Sequence, residues 1–113
     1  MVRLTVTLRA ASARDAQELL ASLRFLIGST RIEAGCDMCT AWAEPDLTVH
    51  YTEGWASETD ARRRVRSAAF TSLLGVMECA SEPPDVHFDF VTSTRGLDFV
   101  AEVRAESIPE SIQ

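Results

Sequence analysis

The sequence predicts an α+β domain of the ferredoxin-like type, and three observations predict it. Segments of strict apolar/polar alternation at the start and middle of the chain read as strands. Two stretches with apolar residues at helical spacing lie between them, each opened by a Ser-x-x-Asp signal. The resulting order is β-α-β-β-α-β, two βαβ halves, with one further strand-like segment at the end.

The first strand is Val2 to Arg9. Val2, Leu4, Val6 and Leu8 share one face, and Arg3, Thr5, Thr7 and Arg9 the other. Ser12 and Asp15 then open a helix, and Gly28 stands where a C-terminal cap belongs. Ala16, Leu19, Leu20, Leu23, Leu26 and Ile27 form its apolar stripe. A strand from about Cys36 to Ala43 follows, with Pro45-Asp46 turning the chain into a second strand, Leu47 to Trp55, as a hairpin. Ser57 and Asp60 open the next helical region. Its apolar positions Ala61, Val65, Phe70, Leu73, Leu74 and Met77 fit one long helix, or two short ones meeting near Ser67. Pro83-Pro84 ends it. Val86, Phe88 and Phe90 share one face of a strand, Ser93 to Gly96 turn, and Leu97, Phe99, Ala101 and Val103 alternate as a last, extra strand. Glu106 to Gln113, with Pro109 and no periodicity, reads as a frayed tail, or an arm that orders on a partner, beyond a domain spanning residues 1–105.

Two helices cover only one face of such a sheet. Trp42, Trp55, Phe88, Phe90 and Phe99 are much aromatic surface for a small sheet, so a homodimer packing sheet against sheet is expected. The 113 residues hold one core and not two. A net charge of −6, with every basic residue an Arg, argues against nucleic-acid and anionic-membrane partners. No apolar run reaches the ~18 residues of a membrane span. Three cysteines make no disulfide framework, which points to a reducing cytoplasm.

The segment Ile32 to Cys36, then Tyr51-Thr52-Glu53-Gly54-Trp55-Ala56-Ser57-Glu58, resembles the antibiotic biosynthesis monooxygenase family. Val65 to Leu74 is similar to that family's second helix. The resemblance spans Val2 to about Arg104. It implies a dimeric α/β-barrel with a small cavity between sheet and helices. It also implies oxidation of quinols, anthrones or related phenolics by O₂, with neither metal nor flavin. Trp55 matches the family's cavity-lining tryptophan. Tyr51 stands four residues before it, where relatives often carry Asn, and Arg64 and Ala69 stand where histidines are common. Keeping only the Trp argues against the haem-degrading branch.

Tyr51, Glu53 and Trp55 share strand parity and point to one face. An aromatic wall that excludes water, with a polar group to handle a phenolic proton, is what cofactor-free oxygenation needs. Trp55 and Tyr51 are therefore expected to line the site, with Glu53, His50 or Arg64 handling proton and anion. His50 faces the opposite side, and His87 lies opposite the Val86-Phe88-Phe90 row. The run Arg62-Arg63-Arg64-Val65-Arg66 reads as a solvated helix face, Arg64 excepted. Cys36-Asp37-Met38-Cys39 has CxxC spacing, but in a regular strand an i, i+3 pair points to opposite faces, ~10 Å apart, so buried structural thiols are expected. The residues thus suggest a cofactor-independent monooxygenase of a small aromatic or polycyclic phenol. A non-catalytic, dimeric small-molecule-binding protein of the same fold is the alternative.

Overall fold

A computed structural model describes residues 1–112; for 107–112 it gives the course of the backbone alone. The elements are β1 (Val2–Arg9), α1 (Ala13–Arg31), β2 (Cys36–Ala43), β3 (Thr48–Trp55), α2 (Glu58–Arg66), α3 (Ala68–Met77), β4 (Asp85–Phe90) and α4 (Leu97–Ile112). The four strands form one antiparallel sheet in the order β2-β3-β1-β4. With helices on one face, this is the ferredoxin-like α+β architecture. The sheet is open and does not close into a barrel within one chain.

Alternation in β1 does what the sequence implies. Val2, Leu4, Val6 and Leu8 are buried under the helices, while Arg3 and Arg9 are exposed on the open face. Ala16, Leu19, Leu23 and Ile27 of α1 meet them, with Val49, Tyr51, Phe70, Leu73 and Met77 completing the core. Ser12 and Ser57 accept hydrogen bonds from the backbone N–H of Asp15 and Asp60, so both capping signals act as read. The second helical region resolves into two helices. Ser67 takes an extended conformation, ends α2, and caps α3 by accepting from the Phe70 N–H. The hairpin turn places Leu47 at φ 71°, so β3 starts one residue later, at Thr48.

Three expectations are corrected. Residues 97–103 are not an extra strand but the start of α4. Val100 breaks the alternation and stands with Phe99 and Val103 at helical spacing, and Arg95 ties the first two turns together by donating to Asp98 at 2.7 Å and Glu102 at 2.6 Å. Four alternating apolar residues were too few to outweigh that. The helix also continues across residue 105, through the stretch read as a tail. Second, the aromatic residues are not spread over the open face. Trp55 is buried under the helices, and Phe88 and Phe90 pair with Leu4 and Val2 on that same side. Trp42 lies on the open face, opposite His50. Third, a β-bulge at Cys36/Met38 restores parity, so Cys36 pairs with Trp55 and Cys39 with Glu53, and both thiols face the helices.

Candidate functional site

β3 delivers Tyr51, Glu53 and Trp55 to the helix-covered face at alternate ladder positions, and the second turn of α2 brings Arg64 down onto them. All four are at most 2% exposed. Glu53 is the centre. Its Oε2 accepts from the Tyr51 O–H at 2.5 Å and from Arg64 Nη2 at 2.8 Å; its Oε1 accepts from Trp55 Nε1 at 3.0 Å. Arg64 Nε adds contacts of 3.2 Å to both oxygens. The guanidinium reaches further, donating through Nη2 to Thr30 Oγ1 at 3.2 Å and through Nη1 to Glu33 Oε2 at 2.8 Å. The rings of Trp55 and Phe70 lie 5.9 and 5.8 Å from its Cζ. Cys39 donates to the Tyr51 hydroxyl at 3.3 Å.

Burial sets the protonation of this cluster. It pushes the Cys39 thiol up to about 11 and, with the adjacent Glu53 carboxylate, drives the Tyr51 hydroxyl far above its ordinary range. Burial opposes the charge on Arg64. The hydrogen bonds and charge of Glu53 outweigh it and raise the guanidinium above its ordinary value. The cluster is therefore a neutral phenol and thiol beside a saturated carboxylate–guanidinium pair. It fastens α2, the end of α1 and the sheet to one another.

One helical turn before Arg64, Ala61 packs on Trp55 and Val2. On the outer side of Ala61 the molecule opens into a groove of about 290 Å³ between α2 and β4. Glu58, Ala61, Arg62, Val65, Arg66, Phe88 and Phe90 line it. It exists because α1, α2 and α3 cover β1, β2 and β3 but leave the helix-side face of the edge strand β4 unroofed. Val65, Phe88 and Phe90 are 45%, 37% and 59% exposed there. Arg62 donates to Glu58 at 2.9 Å across one turn. The groove thus offers two aromatic rings, an apolar floor over Trp55, two guanidinium groups and one carboxylate. That set suits a flat aromatic anion.

The structure brings together four of the residues singled out from sequence: Tyr51, Glu53, Trp55 and Arg64. His50 lies on the open face, where it stacks on Trp42 at 5.0 Å and sits 3.5 Å from Glu44 without a hydrogen bond. His87 is also on that face, 3.0 Å from Asp85. Sequence reasoning did not single out Glu58, Phe88 and Phe90 as groove-lining residues; Arg62 and Arg66, read as a solvated helix face, are exposed as read and also line the groove. Their meeting depends on β4 lying beside β1, which no local pattern states. Among the described residues, no group of three or more His, Cys, Asp or Glu side chains is placed to hold a metal ion. Among the described residues, no helix is long and apolar enough to cross a membrane.

No protein-family model matches the chain, and no curated protein does. Solved structures do. A protein from Deinococcus radiodurans named "putative antibiotic biosynthesis monooxygenase" superposes with a TM-score of 0.74 at 19% identity, over 85% of this chain and 97% of its own. One of the same name from Nitrosomonas europaea gives 0.69 at 12% identity, over 82% and 100%. Rv0793 from Mycobacterium tuberculosis gives 0.70 at 18% identity, over 84% and 98%. At these identities the likeness establishes a shared fold, the one that the resemblance in the sequence implied.

Proposed function

We propose that the protein is a homodimeric, cofactor-independent monooxygenase of a small aromatic or polycyclic phenol or quinol, bound in the groove between α2 and β4. The observation that carries this reading is the groove's chemistry: aromatic rings, two arginines and a carboxylate around an apolar floor. The names of the structural neighbours lend it support. The open sheet face, with its Trp42–His50 stack and a row of threonines, supplies the surface for packing a second copy.

The substrate ring lies against Phe88 and Phe90 with its hydroxyl toward α2. Glu58 takes the phenolic proton, and Arg62 and Arg66 stabilise the resulting phenolate, whose negative charge is shared with a ring carbon. That carbon transfers an electron to O₂ and then bonds to it. Breaking the O–O bond leaves one oxygen on the ring as a quinone carbonyl and releases the other as water. The phenol, losing two hydrogens in all, supplies all four electrons. Tyr51, Glu53, Trp55 and Arg64 act as positioning residues. By holding Arg64 they hold Ala61, one turn away, at the depth that leaves the groove open.

A non-catalytic homodimeric binding protein is the second reading. It is favoured by one observation: the buried hydroxyl, carboxylate and guanidinium are spent on one another and none lines the groove. O₂ uptake by metal-stripped protein, against hydroquinones, naphthols and anthrones, separates the two. The monooxygenase reading expects uptake well above the protein-free rate, falling at least about tenfold in Glu58→Gln and reduced in Trp55→Ala. Binding of the same compounds without uptake would replace it with the second reading.

A further inference from the structure

We infer that the compound bound in the groove is an aromatic acid: a phenol with a carboxylate on the side of the ring remote from its hydroxyl, clamped by Arg66. The inference deepens the reading above. It rests on the groove being the ligand site, though not on the oxygenation.

The first observation is a difference among the four arginines of α2. Arg62 donates to Glu58 at 2.9 Å. Arg63 donates to Asp60 at 2.6 Å and to the Ala34 carbonyl at 2.9 Å. Arg64 is taken up by Glu53 and Glu33. Arg66 alone has no hydrogen bond, ion pair or ring contact among the described residues. A cation in a last helical turn is favoured by the helix dipole wherever it points, so position by itself does not make Arg66 a ligand group. The wall it stands in does. Arg66 lines the groove next to Val65, with Phe88 and Phe90 supplied from β4.

The second observation is the charge left over. Glu58, Arg62 and Arg66 recur every four residues and so form one stripe along the α2 wall. Glu58 and Arg62 neutralise each other, and Arg66 remains as an uncompensated positive charge. A simple phenol cannot balance it, whereas a phenol carrying one carboxylate can. The chain as a whole has a net charge of −6 and repels anions, so an acid is held only where a local cation outweighs that field. The balance also survives the proposed chemistry. When Glu58 takes the phenolic proton it becomes neutral, the phenolate replaces it beside Arg62, and the carboxylate stays on Arg66.

Spacing sets where the carboxylate belongs. One turn of helix places Arg66 about 6 Å beyond Arg62 along the wall. With the hydroxyl at Glu58 and Arg62, and the ring against Phe88 and Phe90, the acid group falls across the ring from the hydroxyl. A guanidinium has more N–H donors than a bidentate carboxylate uses, so Arg66 keeps some for the phenolate. The clamp thereby decides which end of the ring meets Glu58.

The test is isothermal titration of the full chain, under nitrogen, with three compounds: a naphthol, the same naphthol with a carboxylate para to its hydroxyl, and the methyl ester of that acid. Wild type is expected to bind the acid at least about fivefold more tightly than the ester or the parent. Arg66→Gln breaks no contact within the fold, as circular dichroism should show. It should bring the acid to within about twofold of the other two and leave their affinities unchanged within the same margin. Arg63→Gln removes the same charge from the same helix outside the groove and should keep the preference. Equal binding of acid and ester by wild type would overturn the clamp while leaving a phenol site standing. So would a preference lost as fully in Arg63→Gln as in Arg66→Gln, since the field of the helix and not a clamp would then be at work. Tight, Arg66-dependent binding of an acid that takes up no O₂ in air would uphold the clamp and overturn the oxygenation. No binding of any of the three would overturn the clamp and the groove together.

Discussion

Replacing Arg64 by Met removes the guanidinium that donates to Glu53 through Nε and Nη2, and leaves a carboxylate with no exposed surface to lose its cation. Breaking one partner of a buried ion pair costs about 3–5 kcal/mol, because the remaining charge is neither hydrated nor paired. A small domain has only about 5–15 kcal/mol to lose. At roughly 4 °C per kcal/mol for a chain of this size, Tm should drop by about 12–20 °C. The hydrogen bonds from Tyr51 and Trp55 remain and keep the loss from being larger. The comparison that isolates the pair is Glu53→Gln/Arg64→Met. With the charge gone from both sides, most of the stability should return, and the double variant should lie at least about 2 kcal/mol above the sum of the single losses. Arg62→Ala supplies the contrast. Its partner Glu58 is solvated, so its loss should change stability by at most a few tenths of a kcal/mol. Urea midpoints for wild type, the two single variants of the pair, their double and Arg62→Ala measure all of this. Arg64→Met within about 1 kcal/mol of wild type would refute the reasoning, since it would mean that the buried pair does not hold α2 to the sheet.

Three further outcomes follow from the same geometry. Burial raises Cys36 and Cys39 while Cys79 is exposed, so a thiol reagent at pH 8 should modify Cys79 fast, the half-buried Cys36 more slowly and the buried Cys39 only on unfolding; rapid reaction of Cys39 in the folded protein would contradict its placement. Because the folded state holds the Cys39 proton up to about 11 against 9.0 ordinarily, it binds more protons than the unfolded chain between those values, and stability must fall as pH rises from 9 toward 11. Tyr51 shifts in the same direction and steepens the fall. Urea midpoints from pH 8 to 10.5 should show the decline, shallower in Cys39→Ala, and a flat profile would contradict it. Gly35 sits at φ 83°, and a Cβ there would fall 2.3 Å from the Asp60 carboxyl carbon, which Ser57 and Arg63 pin in place. Gly35→Ala should cost about 1–3 kcal/mol, and an unchanged thermal midpoint would count against that strain.

Much of the fold was legible because its signals are local. The alternation of Val2 to Leu8, the two serine caps and the stripe of α1 each fix one element without help from the rest of the chain. What failed did so where a local pattern was short or had a rival. Leu97, Phe99, Ala101 and Val103 alternate, yet Val100 breaks that pattern and sets a helical spacing with Phe99 and Val103, and the segment carries the Arg95 pairings, so the helix wins. A bulge is one extra residue, invisible to a parity argument, and it turns Cys36 and Cys39 to the same face. The candidate site divides in the same way. Tyr51, Glu53 and Trp55 share a face by strand parity, so their meeting could be read directly. Arg64 could be singled out but not placed, because its depth follows from how α2 packs. Phe88, Phe90 and Glu58 come together only through the sheet order, which sets β4 beside β1 and leaves it unroofed.

The central claim is that the groove between α2 and β4 puts one atom of O₂ into a phenolic ring. Its most direct measurement is single-turnover oxidation of a naphthol or anthrone under ¹⁸O₂ by metal-stripped protein, with product masses recorded for wild type and Glu58→Gln. The account predicts a quinone carrying one ¹⁸O, formed by wild type and slowed in the variant, with the second label in water. Unlabelled product, or label incorporated no faster than without protein, would contradict it.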